Sequence, residues 1–177
     1  MSTIRFSYEN SCQLLQKMGY LDTGSIPPLH AQQPSIHDPE PLGVSFFRTL
    51  VAEDALENLS LPRTFFGRSE VRNVSFRNTL LSESNLCWND FIEVDFTKAD
   101  LSRSDLRASI FKNVKFAEAN LRYSDLRHST FEDCDFTEAD MDKVKLTHEQ
   151  GALLTLSDSQ RESVSWCSDA GSFPDGG

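Results

Sequence analysis

A bulky apolar residue stands at every fifth position of this chain from Phe66 to Leu146, without an insertion. Two positions before each of these central residues stands a small or short residue, and this double register holds for seventeen consecutive pentads. A period of five fits neither the 3.6 of a helix nor the 2 of a strand. A short, fixed period instead indicates one structural unit stacked on copies of itself.

A second period of twenty residues lies within the first. The central residues read Leu, Phe, Phe, Leu at positions 86–101, and the order recurs at 106–121 and, ending in Met141, at 126–141. Four pentads therefore make one coil, and the sequence predicts an all-β solenoid of square cross-section with about four coils over residues 64–147. Phenylalanines twenty residues apart are expected to stack in one column of the core, since each coil completes its core only against its neighbours. This column comprises Phe76, Phe96, Phe116 and Phe136.

Three segments resemble the A-(D/N)-L-x-x unit of the pentapeptide-repeat family. They are Ala99-Asp100-Leu101, Ala119-Asn120-Leu121 and Ala139-Asp140-Met141. The resemblance covers residues 64–147 and implies a right-handed quadrilateral β-helix. The family is functionally mixed: some members mimic DNA and protect topoisomerases, and others act in bacterial defence or secretion.

The flanking segments are predicted to cap the solenoid. Residues 1–63 contain a helix capped by Ser7, a proline-rich strap at 27–43 and a cap. Residues 44–63 keep a bulky residue in register, but Asp54 and Leu59 break the small-residue rule, so a helical plug is preferred there. After Gly151 breaks the register, residues 148–167 are predicted to hold a capping helix that starts near Ser157. Residues 168–177 are predicted to be a disordered tail.

Composition narrows the classes of protein that fit. The formal net charge is −10, and no stretch reaches membrane-spanning length, so no membrane partner is expected. The N-terminus lacks the apolar run of a signal peptide. None of the four cysteines belongs to a zinc-type pattern. We therefore expect a cytoplasmic protein from a bacterium.

No catalytic constellation emerges from the sequence. His128 lies near Asp125 and Ser129, which suggests a catalytic triad, but Ser129 occupies the inward small-residue position and cannot be an exposed nucleophile. No glycine-rich phosphate loop, HExxH motif or metal-ligand spacing occurs. The Asx residues that precede many central residues are expected to bind local backbone at the corners. The protein is therefore not expected to be an enzyme or to hold a cofactor or metal.

A candidate partner-binding surface lies on the outward positions around Trp88. Trp, Tyr and Arg dominate binding hot spots, and this surface contains all three types. Its residues are Trp88, Arg103, Arg107, Arg122, Tyr123, Arg127 and His128. Two alternatives stay open: the N-terminal helix or strap covers Trp88, and the arginines pair with Asp105 and Asp125 in ladders.

These features favour a non-catalytic, protein-binding module, of the kind that neutralises a toxin as an immunity protein does. The alternative is a DNA mimic that binds a type II topoisomerase through an acidic surface and, since four coils span only about 20 Å, dimerises through its C-terminal end. Otherwise a monomer is expected. The acidic surface comprises Glu132, Asp133, Asp135, Glu138, Asp140 and Asp142. Direct nucleic-acid binding is disfavoured by Asp105, Asp125 and the overall acidity.

Overall fold

The computed structural model describes residues 4–32 and 41–168, in which short parallel strands dominate. One helix, α1 (Tyr8–Lys17), precedes the strands, and two short helices, α2 (His148–Leu153) and α3 (Asp158–Ser163), lie near the C-terminus. The strands are β1 (Ser45–Phe47), β2 (Leu50–Ala52), β3 (Phe65–Gly67), β4 (Glu70–Arg72), β5 (Asp90–Ile92), β6 (Ile110–Lys112), β7 (Thr130–Glu132), β8 (Lys145–Thr147) and β9 (Ser165–Cys167).

The strands wind into a right-handed quadrilateral β-helix, which confirms the predicted fold class, with about six coils rather than the predicted four. Each strand pairs in parallel with residues twenty positions away, as in the sheet ordered β2-β4-β5-β6-β7. We number the coils 1 to 6 from residue 45, twenty residues to each. Side A carries the central residues 46, 66, 86, 106, 126 and 146, and sides B, C and D follow at steps of five.

The core consists of columns of side chains that run along the solenoid. On side C the predicted phenylalanine column is confirmed, because the rings of Phe76 and Phe96 stack at 5.3 Å between centroids and those of Phe116 and Phe136 at 4.9 Å. The Phe96 and Phe116 rings between them stack at 5.5 Å. Offset stacking of this kind adds to the stabilisation from burial.

Inward-facing polar residues form ladders between the coils. The Ser109 hydroxyl donates to the Leu86 carbonyl at 2.9 Å, and the Ser129 hydroxyl accepts from the Ser109 amide at 3.0 Å. Both serines are buried. A small side chain at these positions therefore satisfies backbone groups that the central apolar residues cannot.

The corners contain a regular feature that the sequence does not signal. Twenty non-glycine residues, one in each pentad from Arg48 to Lys143, have φ between 49° and 62°. They stand two positions after the central residue. The predicted role of the Asx residues is confirmed, since Asp100 Oδ1 accepts from the Ser102 amide at 3.0 Å and Asn120 Oδ1 from the Arg122 amide at 3.2 Å.

The predicted N-terminal helix with Ser7 as its N-cap is confirmed as α1, which closes the N-terminal end, whereas the helical plug predicted for this end at residues 44–63 is wrong. Those residues form coil 1, with β1 and β2 in register with the next coil. The small-residue rule relaxes here because no coil precedes this one. Leu59 is buried in the cluster that contains Cys12 and Leu15 of α1, and Asp54 accepts a hydrogen bond from the Tyr20 hydroxyl.

The C-terminal end is closed by α2, α3 and β9 rather than by a single capping helix. Helix α3 has Ser157 as its N-cap, in line with the predicted start. The side-chain amides of Gln150 and Gln160 donate to carbonyls of coil 5, at 2.7 to 3.0 Å, and so satisfy its open edge. Of the predicted disordered tail, residues 169–177 lie outside the described residues, and residues 33–40 of the predicted strap do so too.

Candidate partner-binding surface

Trp88 lies at the corner between sides A and B in coil 3, where φ is 60° and no core contact requires a large residue. Its side chain is 46% exposed. Helix α1 does not cover it, because the N-terminal segment contacts other sides of the solenoid. The Phe6 amide donates to the Asn58 carbonyl on side C, and the Ser11 hydroxyl accepts from the Ser60 amide on side D. The alternative in which the helix covers Trp88 is therefore wrong.

The arginines of side A are held in ion pairs, as the second alternative predicted. Arg107 binds the carboxylate of Asp105 through two nitrogens, at 2.9 and 2.7 Å, and Arg127 binds Asp125 in the same way. Arg107 Nε also lies 3.9 Å from Asp125 Oδ2. We call these four residues the arginine–aspartate ladder.

The ladder is half-buried, and this changes its electrostatics. Burial alone would raise the pKa of the Asp125 carboxyl, but the hydrogen bonds from Arg127 outweigh it and lower that pKa. The hydrogen bonds that Arg107 donates to the Asp105 carboxylate raise the pKa of the Arg107 guanidinium. These charges therefore satisfy each other and are not directed at a partner.

The corner between sides D and A brings Arg103, Arg122 and Tyr123 together. The Arg103 guanidinium lies 5.0 Å from the centre of the Tyr123 ring, and that of Arg122 lies 5.7 Å from it. Arg122 also pairs with Asp140 at 3.3 Å and with Asp142 at 2.6 Å. Tyr123 is 47% exposed, so it presents a ring backed by two cations.

His128 does not form a catalytic triad. The Ser129 hydroxyl is buried and donates to the Leu106 carbonyl at 2.6 Å, so it belongs to the core ladder. His128 instead lines a shallow pocket of about 240 Å³ beside Gln150 and Glu149.

Sequence reasoning missed two aromatic residues at the N-terminal end of side A. Phe47 is 54% exposed, and its ring stacks on that of Phe65 at 6.4 Å. Both rings lie over Gly67, where an added Cβ would come within 2.4 Å of Phe65 and 2.8 Å of Phe47. Cys87 follows Gly67 by twenty residues, and Trp88 comes next. We call Phe47, Phe65 and Trp88 the aromatic patch. The sequence could have indicated this patch, because its apolar residues stand at outward positions of side A.

Comparison with known proteins agrees with this architecture. The family profile described as "Pentapeptide repeat region" matches residues 86–160. HetL, a pentapeptide-repeat protein involved in heterocyst differentiation regulation from the cyanobacterium Nostoc sp. strain PCC 7120, superposes with a TM-score of 0.56 at 17% identity. That match covers 58% of this chain and 49% of HetL, so the chain spans about half of HetL's length. Residues 86–160 of this chain are therefore a pentapeptide repeat region.

Two further pentapeptide-repeat structures are weaker matches to this chain. Rfr23 from the cyanobacterium Cyanothece 51142 has a TM-score of 0.48 at 15% identity, covering 56% of this chain and 85% of its own. QnrB1, a plasmid-mediated fluoroquinolone resistance protein, has a TM-score of 0.38 at 21% identity, covering 59% and 53%. Likenesses at this level support no inference about function. No curated protein sequence matches the chain.

The acidic residues of the solenoid concentrate in coil 5. Glu132 pairs with Lys112 at 3.0 Å, and Asp140 and Asp142 share one cation, Arg122. The Asp135 pKa is lowered by hydrogen bonds from Thr137. Asp135 therefore stays ionised, and within residues 4–32 and 41–168 it forms no ion pair, nor do Asp133 and Glu138. The acidic surface is thus smaller than its sequence suggests.

In the described part of the chain, no group of His, Cys, Asp or Glu side chains is arranged to hold a metal ion. No described helix has the length and apolar character needed to cross a membrane. Burial raises the pKa of the Cys87 thiol, which is the reverse of what an activated nucleophile requires.

Proposed function

We propose that this protein is a non-catalytic binding module that neutralises a cognate protein, as an immunity protein does with a toxin, by occluding its active surface. The partner binds side A and its two borders. The observation that carries the proposal is Trp88, a half-exposed aromatic residue in a left-handed conformation. That conformation costs a bulky residue about 1–2 kcal/mol, so folding does not explain the choice of tryptophan.

The shape of the surface supports the same proposal. Side A is a row of backbone-paired coils, so its side chains are held on a rigid frame and little ordering is needed on binding. Tyr123 borders side A opposite Trp88, and both rings are about half exposed. Exposed aromatics on a rigid frame are typical anchors of protein interfaces. The free cysteines are consistent with the proposed cytoplasmic location.

A second candidate function is a DNA mimic directed at a type II topoisomerase, favoured by the unpaired acids Asp133 and Glu138 in coil 5. Six coils span about 29 Å, or roughly eight base pairs, and dimerisation through the C-terminal end would lengthen this. The charge is interrupted, however, since coil 4 carries four basic residues and two acidic ones. We therefore prefer the first candidate, with the protein as a monomer.

The test is capture of the partner from lysate of the native host with four full-length baits. Wild type is compared with Trp88→Asn and Tyr123→Asn, which replace exposed rings by a residue suited to left-handed backbone. The matched control is Lys98→Asn, at an equivalent position on side C. We expect one protein to be retained by wild type and control and lost by both aromatic variants. Capture that resists both variants would overturn the proposal.

A further bait, Asp133→Lys/Glu138→Lys, addresses the second candidate. Recovery of a topoisomerase that this bait alone loses would establish the DNA-mimic function instead. Mass spectrometry identifies the captured protein, and its activity with and without stoichiometric wild-type chain shows whether binding neutralises it. A captured protein whose activity is unchanged would contradict the inhibitor proposal.

A further inference from the structure

The aromatic patch differs in charge from the rest of the molecule. Residues 45–48, 65–68 and 85–88, which form side A in coils 1 to 3, contain two arginines and no carboxylate. The whole chain has a formal net charge of −10. Three carboxylates border this region: Glu83 pairs with Arg63 at 3.4 Å and Glu70 pairs with Arg72, whereas Asp90, next to Glu70 in the following coil, forms no ion pair within the described residues. One unpaired carboxylate thus stands against two arginines. The region of the patch therefore carries a local positive charge on a protein whose net charge is negative.

Gly67 forms the floor of the patch. Its backbone conformation does not require glycine, because its φ lies outside the left-handed region. The glycine is required by the rings: a Cβ here would displace Phe65, whose ring atoms lie 2.4 and 2.5 Å from its position. A glycine within a strand weakens the strand, so its presence indicates that the flat arrangement of rings is itself useful.

Arg48 supplies the charge at the edge of these rings. Its guanidinium carbon lies 5.2 Å from the centre of the Phe47 ring, and its side chain is exposed. Within the described residues it forms no ion pair, unlike Arg107 and Arg127. Arg48 therefore presents hydrogen-bond donors beside an apolar surface, and a carboxylate is their natural acceptor.

We infer that the aromatic patch binds a protein segment that presents an apolar side chain flanked by carboxylates. This inference rests on the proposed function and names the chemistry of the partner. The apolar side chain packs on Phe47, Phe65 and Trp88, and a flanking carboxylate pairs with Arg48. Single-stranded nucleic acid also stacks on aromatic residues, but the net negative charge of the chain repels a polyanion.

The experiment uses the full ¹⁵N-labelled chain and three capped ten-residue peptides. The peptides share two leucines and one phenylalanine and carry glutamate, glutamine or lysine at the remaining positions. A ten-residue oligothymidylate is the fourth probe. We expect the glutamate peptide to shift the amide signals of Phe47, Arg48 and Gly67 and the indole signal of Trp88. Its dissociation constant should be about tenfold lower than that of the lysine peptide, a difference of about 1.4 kcal/mol.

Matched variants locate the binding. Phe47→Ser should weaken binding of the glutamate peptide about tenfold, and Arg48→Asn about threefold, with the asparagine suited to the left-handed backbone at this position. The controls are Leu153→Ser, which removes an exposed apolar residue at the other end, and Lys98→Asn, which removes a left-handed cation on side C. Neither control should change the affinity.

Several results would overturn the inference. They are equal affinity for the glutamate and lysine peptides, no shift of the patch signals at millimolar peptide, and binding of oligothymidylate alone. If the lysate partner still depends on Trp88 in such a case, the proposed function stands and only the chemistry assigned to the partner is wrong. If the partner depends on neither Trp88 nor Tyr123, the proposed function fails as well.

Discussion

Side A has one backbone and two different surfaces. In coils 4 and 5 the same tripeptide, Asp-Leu-Arg, occurs at 105–107 and 125–127, and its charges bind each other within and between coils. In coils 1 to 3 the corresponding outward positions hold apolar residues such as Phe47, Phe65 and Cys87. Where the outward sequence repeats, the charged side chains on the surface pair with each other. Where it departs from the repeat, it is available to a partner.

The two halves also differ in what they contribute to stability. The ladder places two-nitrogen arginine–carboxylate pairs at positions where the Arg107 side chain is 24% and the Asp125 side chain 16% exposed. Such pairs contribute more than exposed ion pairs, which are worth about 0–1 kcal/mol. The patch instead includes exposed rings and a strained tryptophan. The surface of the ladder half thus adds to stability, whereas the exposed rings of the patch half are available for binding.

The largest loss of stability is expected from substitutions in the core beneath the two surfaces. Phe66→Ala, under the patch, removes a buried ring stacked on Phe46 at 4.5 Å and should cost about 3–5 kcal/mol. Leu106→Ala, under the ladder, should cost about 2–5 kcal/mol. Urea unfolding is followed by the fluorescence of Trp88 and Trp166 in single-tryptophan variants. One shared transition is expected, because the core column is continuous; two separate transitions would mean that the halves unfold independently.

The ladder itself gives the next largest effect. Asp125→Ala leaves Arg127 without its carboxylate and should lower the free energy of unfolding by about 1–3 kcal/mol. The matched control is Asn85→Ala, at the same position of coil 3, where the side chain accepts from the Cys87 backbone amide and thiol but binds no arginine. Chemical denaturation measures both. An equal loss in the two variants would show that the ladder charges add nothing to the corner hydrogen bond.

The repeat is strong enough in the sequence to predict the coils and the core columns. The packing of the end coils could not be predicted from the repeat, because these coils contact segments that are distant in the sequence. Leu59 and Asp54 violate the small-residue rule, yet they are accommodated by α1 and Tyr20, which are remote in sequence. The left-handed corners also carry no signal, since residues as different as Glu118 and Trp88 occupy them.

The candidate site was predictable only in part. The outward position of Trp88 followed from the register, whereas the direction of the arginine side chains did not. Arg107 has a carboxylate two residues before it and another eighteen residues after it, and sequence spacing alone does not decide between these and solvent. Phe47 was missed because its segment was assigned to a helix.

The pH dependence of stability provides a smaller and more specific test. The pKa of Asp125 is lowered in the folded state, so its contribution is fully present above the unfolded pKa of about 3.9 and is lost as pH falls through the folded value. The stability gap between wild type and Asp125→Asn should therefore be constant from pH 7 to about 5 and shrink below it. The gap for Asn85→Ala should not change with pH. A gap for Asp125→Asn that is as large at pH 2 as at pH 7 would contradict the assignment of charge to the ladder.

The smallest expected effect has the opposite sign. Trp88→Asn should raise the free energy of unfolding by up to about 1 kcal/mol, because asparagine tolerates left-handed backbone better than a bulky ring does. Its control is Asn113→Trp, the reverse change at an exposed left-handed position on another corner, which should lower stability by a similar amount. Thermal and urea unfolding measure both. If Trp88→Asn is instead destabilising, the ring serves the fold, and the strain argument for a binding role of the patch half fails with it.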